Sequence, residues 1–181
     1  SVEEEVDKVV KKLEEDLDRL LEESKEVVER VEKALDDLLK RDEDVSEEVR
    51  RELERLKEEG LDDKKVRDLE KEIEDLNREN KELLERLKRR IRKLHEDNER
   101  MLRELKKEVR KRLEDVRRRR IPESMVKKLL DELRKLVEDA REHVERSIRE
   151  LEKLVKEADD HVRKSIEDLK RLVEEVRETA R

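Results

Sequence analysis

Apolar residues in this chain recur at helical spacing for nearly its whole length. Toward the C-terminus they fall at Val126, Leu129, Leu130, Leu133, Leu136, Val137, Ala140, Val144, Ile148, Leu151, Leu154 and Val155. Steps of three and four residues place them on one wide stripe of a helix, with charged residues covering the rest. The middle of the chain repeats the pattern from Val66, Leu69, Ile73 and Leu76 to Leu113 and Val116. The pattern is interrupted strongly at two places. In EEGLDD, Gly60 suits the residue just past a helix end and Asp62 suits the cap of the next helix. In RRIPES, Pro122 suits a first helical turn and disfavours helical geometry at Ile121. These two marks predict three helices, about 2–59, 62–120 and 122–181, in a single domain.

The period of the stripe is informative. HVERSIRELEKLVKEADD (143–160) is followed by HVRKSIEDLKRLVEEVRE (161–178), with apolar positions matching one for one. Leu69, Leu87 and Leu105 keep the same 18-residue phase, as do Val9, Val27 and Val45. Eighteen residues make about five turns of an unstrained helix, so the seam has no reason to supercoil. Each helix would be a rod on the order of 90 Å long. Short connections force antiparallel neighbours, so the expected fold is all-α: an elongated, nearly straight, antiparallel (up-down-up) three-helix bundle. KRDEDVSEEV (40–49) is the one ambiguous stretch, since Asp44 and Glu47 could form a capping box and break the first helix near 41–46. The phase nevertheless runs through it, from Val27 to Val45 and from Leu35 to Leu53, which favours a continuous helix.

Composition sharpens this picture. Charged residues make up 60% of the chain, against about 25% in ordinary domains. The periodicity separates it from a disordered polyelectrolyte. Phe, Tyr, Trp, Cys and Gln are absent, so there is no disulfide framework, thiolate ligand or cysteine nucleophile. The net charge of −7 argues against general binding to nucleic acid or anionic membranes. No apolar run approaches the roughly 20 residues of a membrane span, and SVEEEV is unlike a signal peptide. A soluble chain is expected; its localisation is not legible.

Uncharged polar residues are few enough to place one by one. Apart from end and turn residues (Ser1, Ser124, Thr179), they and the histidines are Ser24, Ser46, Asn77, Asn80, His95, Asn98, His143, Ser147, His161 and Ser165. When the chain is folded at Gly60 and Ile121, they collapse into two levels. Ser24, His95, Asn98, His143 and Ser147 form one; Ser46, Asn77, Asn80, His161 and Ser165 form the other. A third repeat carries apolar residues in these positions: Val6, Leu113, Val116, Met125 and Leu129. Asp42 stands one repeat after Ser24 and would either join the second level or face solvent. Two buried polar layers in an aliphatic core are therefore expected. A stranded buried donor or acceptor costs about 1–3 kcal/mol, so such layers would fix one alignment of the helices.

Reactive alternatives fit less well. His143 and His161 would be about 27 Å apart on one helix and could not share an ion. His95 and His143 would supply only two ligands, where zinc takes three or four from the protein. A Ser147–His143 pair has no identifiable orienting acid, and a helix interior has no free backbone N–H for an oxyanion. No metal site, cofactor or enzymatic activity is expected. These residues and their spacing resemble computationally designed helical bundles with idealised backbones and buried hydrogen-bond networks. That resemblance covers the whole chain and implies a structural scaffold, monomeric and needing no partner, with self-association as the variation. The alternative is an interaction or pH-responsive module that self-associates or binds a partner helix, since histidine changes charge near pH 6.5.

Overall fold

The computed structural model describes residues 1–179; the last two residues of the expected third helix lie outside them. The described chain is all-α: α1 (Val2–Glu58), α2 (Asp63–Arg117) and α3 (Glu123–Thr179). Helix α1 passes without interruption through residues 40–49. Three acidic residues, Glu3, Glu4 and Glu5, occupy its first turn, where the helix dipole favours negative charge.

Both turns are closed by the same backbone device. At the end of α1, Gly60 N–H donates to the Lys57 carbonyl and Leu61 N–H to the Leu56 carbonyl. At the end of α2, Arg119 N–H donates to the Val116 carbonyl and Arg120 N–H to that of Asp115. This paired arrangement satisfies the orphan carbonyls of a helix end and needs a left-handed residue at its centre. Gly60 supplies it with φ of 107°, and Arg119 does so with φ of 56° despite its side chain. Asp62 then caps α2, its Oδ1 accepting from Lys64 N–H at 3.2 Å.

The chain packs as two compact units, each containing a portion of all three helices. Ser1–Arg30 and Ile91–Leu151 form the first; Val31–Arg90 and residues 152–179 form the second. In the first unit, Asp7 pairs with Arg117, Glu14 with Arg110 and Asp18 with Lys106. Partner numbers fall along α2 as they rise along α1, so the two helices run antiparallel. Its core joins Val6, Val10, Leu13 and Leu17 to Leu102 and Val109 of α2 and to Leu130, Leu133 and Val137 of α3. In the second unit, Val49, Leu53 and Leu56 meet Val66 and Ile73 of α2 and Leu169 and Val173 of α3. Burying a Leu or Val side chain contributes about 1.5–3 kcal/mol, and these contacts hold each trio of helices together.

Candidate functional site: buried polar clusters

Each unit contains one polar cluster within its apolar core. In the first unit Ser24, Asn98 and Ser147 are buried, and His95 is half-buried. Ser24 Oγ lies 3.1 Å from His95 Nδ1, and His95 Nε2 lies 3.4 Å from a carboxylate oxygen of Glu99. Neutral imidazole has one donor and one acceptor nitrogen. The carboxylate can only accept, which assigns the proton to Nε2 and makes Ser24 the donor to Nδ1. Glu99 is also ion-paired to Arg103, so the chain from Ser24 ends on a charge pair at the surface.

Ser147 reaches two acceptors, the His143 carbonyl at 3.1 Å and Asn98 Oδ1 at 3.5 Å. A hydroxyl has one proton, and the shorter contact takes it. Rotating the Asn98 amide by half a turn turns the second contact into an N–H donating to Ser147 Oγ, which satisfies both groups. Ser46 in the second unit poses the same problem, with the Asp42 carbonyl at 2.8 Å and Asn77 Oδ1 at 2.5 Å. Here the shorter contact is the amide oxygen, so the Ser46 hydroxyl donates to Asn77 Oδ1, a distance that suits an O–H donor and not an N–H.

Asn80 joins all three helices in the second unit. Its Nδ2 donates to Asp42 Oδ1 of α1 at 3.2 Å and to Ser165 Oγ of α3 at 3.1 Å. Asn80, Ser46 and Ser165 are buried and Asn77 is half-buried. Asp42 is 1% exposed, and its Oδ2 is buried with no hydrogen-bond partner. Burial pushes its carboxyl above the ordinary aspartate range; the Asn80 bond opposes this, and the neighbouring Glu43 charge adds to it.

The structure therefore brings Ser24 to His95, Asn98 to Ser147, Ser46 to Asn77, and Asn80 to Ser165. His143 and His161 depart from expectation, since both side chains are exposed. Their serines, one turn on, are buried. Four residues advance a helix by a full turn plus about 40°, which suffices at the margin of a narrow stripe to swing a polar side chain into water. Only the backbone carbonyl of His143 takes part in the cluster. Of the two places left open for Asp42, the structure takes the first: it is buried in the second-unit cluster. One participant was not singled out from the sequence, Glu99, signalled by its position four residues after His95 on the same helix face.

Ser24, His95 and Glu99 are connected in the order of a catalytic relay, which requires a nucleophile that substrate can reach and an oxyanion donor. Ser24 is 3% exposed inside a continuous helix whose backbone N–H groups are engaged. The arrangement can order the two helices but has no opening for a reacting group. Among the described residues, no three His, Asp or Glu side chains gather closely enough to hold a metal ion. Among them, too, no helix is long and apolar enough to cross a membrane.

Fold and clusters together define a class: a three-helix bundle with buried Ser, Asn and His hydrogen bonds in its core. Comparison with protein-family models, curated proteins and solved structures finds no match.

Proposed function

We propose that this chain is a structural scaffold of designed origin, without enzymatic activity, whose buried polar clusters specify which helices pair and in what register. The observation that carries this reading is Asn80, whose single amide nitrogen donates to both α1 and α3. An apolar core with an 18-residue repeat tolerates a slide by one period, because Leu and Val fall again on Leu and Val. A polar cluster does not, since a slide strands several donors and acceptors at about 1–3 kcal/mol each. The evenly spaced apolar repeat, the single Gly and single Pro at the two turns, and the almost wholly charged remainder support a designed origin.

An apolar second-unit variant tests the reading: Asp42→Val, Ser46→Ala, Asn77→Leu, Asn80→Leu and Ser165→Ala together. It should keep its helicity and resist denaturant at least as well, yet give multiple amide resonances and broadened distances between spin labels on α1 and α2. A single set of sharp resonances with unchanged label distances would show that the clusters do not set the register.

A further inference from the structure

The largest uncovered apolar side chains are both on α3. Met125 is 45% exposed and Leu136 is 44% exposed, while the other large hydrophobic residues described are buried or half-buried. Eleven residues separate these two, and seven more lead to the exposed His143. At about 100° per residue the three project within about 20° of one another. Ser147, which faces α2 through Asn98, lies about 40° round the helix from this line. Arg141, which faces α1 through Asp16, lies about 160° from it. The line thus borders the side of the α2–α3 groove that points away from α1. Leu94, Met101 and Leu105 of α2, half-buried, lie on the far side of Asn98 from His95 and border the same groove.

Several charges beside this line are uncommitted, as are others along α3. Lys128, Glu132, Lys135 and Asp139 are exposed and make no ion pair among the described residues. Elsewhere on α3, Arg134 pairs with Asp131, and Arg141 with Glu138 and Asp16. The four uncommitted charges alternate in sign. A second α3 laid in reverse puts Lys128 opposite Asp139 and Glu132 opposite Lys135 of the other copy, twice over by symmetry. A parallel copy in register would set like charge against like.

We propose that the face of α3 centred on Met125, Leu136 and His143 is a self-association surface, on which a second copy of this chain lies antiparallel across the α2–α3 groove. The contact is isologous, so it closes as a dimer rather than growing into a filament. Stable interfaces bury about 1,200–2,000 Å²; one helix seam with one groove edge lies at the low end and gives a dimer that dissociates on dilution. This inference is independent of the clusters' role in register.

Sedimentation equilibrium between about 5 μM and about 500 μM tests it. The 22.2 kDa chain should be monomeric at the low end and approach twice that mass at the high end. Leu136→Glu should weaken association about tenfold or more with helicity unchanged, as expected for an exposed position. Two charge variants carry the test if that one disturbs the fold: Lys128→Glu with Lys135→Glu, and Glu132→Lys with Asp139→Lys. Each alone should be monomeric, and an equimolar mixture should regain dimers. Because the chain has no cysteine, orientation is read from disulfide formation. Lys128→Cys chains should cross-link to Asp139→Cys chains faster than to themselves. A monomer at every concentration, dimers indifferent to these changes, a mixture that fails to recover, or equal cross-linking rates would overturn the proposal.

Discussion

Asp42→Asn should stabilise this protein at neutral pH, although it removes a native side chain. Asp42 is 1% exposed, one carboxylate oxygen accepts from Asn80, and the other has no partner. An unpaired buried polar atom costs about 1–3 kcal/mol, and more when charged. The asparagine keeps the shape and the oxygen that accepts from Asn80. It replaces the unpaired anionic oxygen by a neutral amide nitrogen, so the penalty falls but does not vanish. The expected gain is about 1–2 kcal/mol at pH 7, a rise of roughly 0.5 M in the urea midpoint.

The pH dependence gives this prediction its force. Because burial raises the folded-state carboxyl above the unfolded value near 3.9, the native state holds the proton more tightly. The contribution of Asp42 to stability is therefore fully present below the unfolded value. It is lost as pH rises through the folded one, and at neutral pH the whole loss is in place. The advantage of Asp42→Asn should be largest at pH 7.5 and shrink steadily toward pH 3.5. The other carboxylates are common to both proteins and cancel in the difference. Urea unfolding followed by circular dichroism at half-unit pH steps measures this, with the exposed Asp44→Asn as a control that should show no gain. A loss of stability at neutral pH, or a gain independent of pH, would refute the reasoning.

Three further outcomes follow from the geometry. A double-mutant cycle of Ser24→Ala and His95→Gln, read by urea unfolding, should return a coupling of about 0.5–1.5 kcal/mol, the usual net value of one hydrogen bond. Arg119→Gly should stabilise by about 1 kcal/mol by calorimetry, because a non-glycine residue holds the left-handed position there. Arg177→Gln should destabilise near neutral pH but lose that effect in acid. The Arg177 bond holds the Glu52 carboxyl below its ordinary range, with Arg55 assisting. Such a depressed group contributes above its unfolded value, and the contribution disappears as pH falls through the folded one; denaturation at pH 7 and pH 3 compares the two.

Helix count and turn positions were legible because Gly60 and Pro122 stand alone in a chain otherwise free of breakers. The polar levels were legible because a straight 18-residue period makes height along a helix almost a matter of counting. What counting does not give is rotation at the margin. Ser147 and His143 differ by about 40° round α3, and one is buried while the other is exposed. Nor does it give which of several polar atoms at one level become partners. Asp42 was ambiguous for that reason. Its burial comes with the bond donated by Asn80, and the stretch around Asp44 that suggested a helix break lies inside an unbroken helix.

The two clusters occupy equivalent slots one period apart, yet they are not copies. Ser24, His95, Asn98 and Ser147 in one unit correspond to Asp42, Asn77, Asn80 and Ser165 in the other. Two of the four slots keep their residue type, and two change it. The bonding changes with them: Ser24 meets His95, whereas Asp42 meets Asn80 and Asn77 is taken by Ser46. Had the slots been identical, a slide of α1 by one period would have matched one polar level while still setting Val6 against the other. With the slots as they are, that slide brings Val6 to His95 and removes the Ser24 hydroxyl from Nδ1. It also presents Ser24, in place of the Asp42 carboxylate, to Asn80. Each mismatch costs about 1–3 kcal/mol, and the apolar repeat between them offsets none of it. On the proposed reading, the presence of the clusters penalises the slide at His95 and the difference between them adds a second penalty at Asn80, and together they distinguish one register from the next.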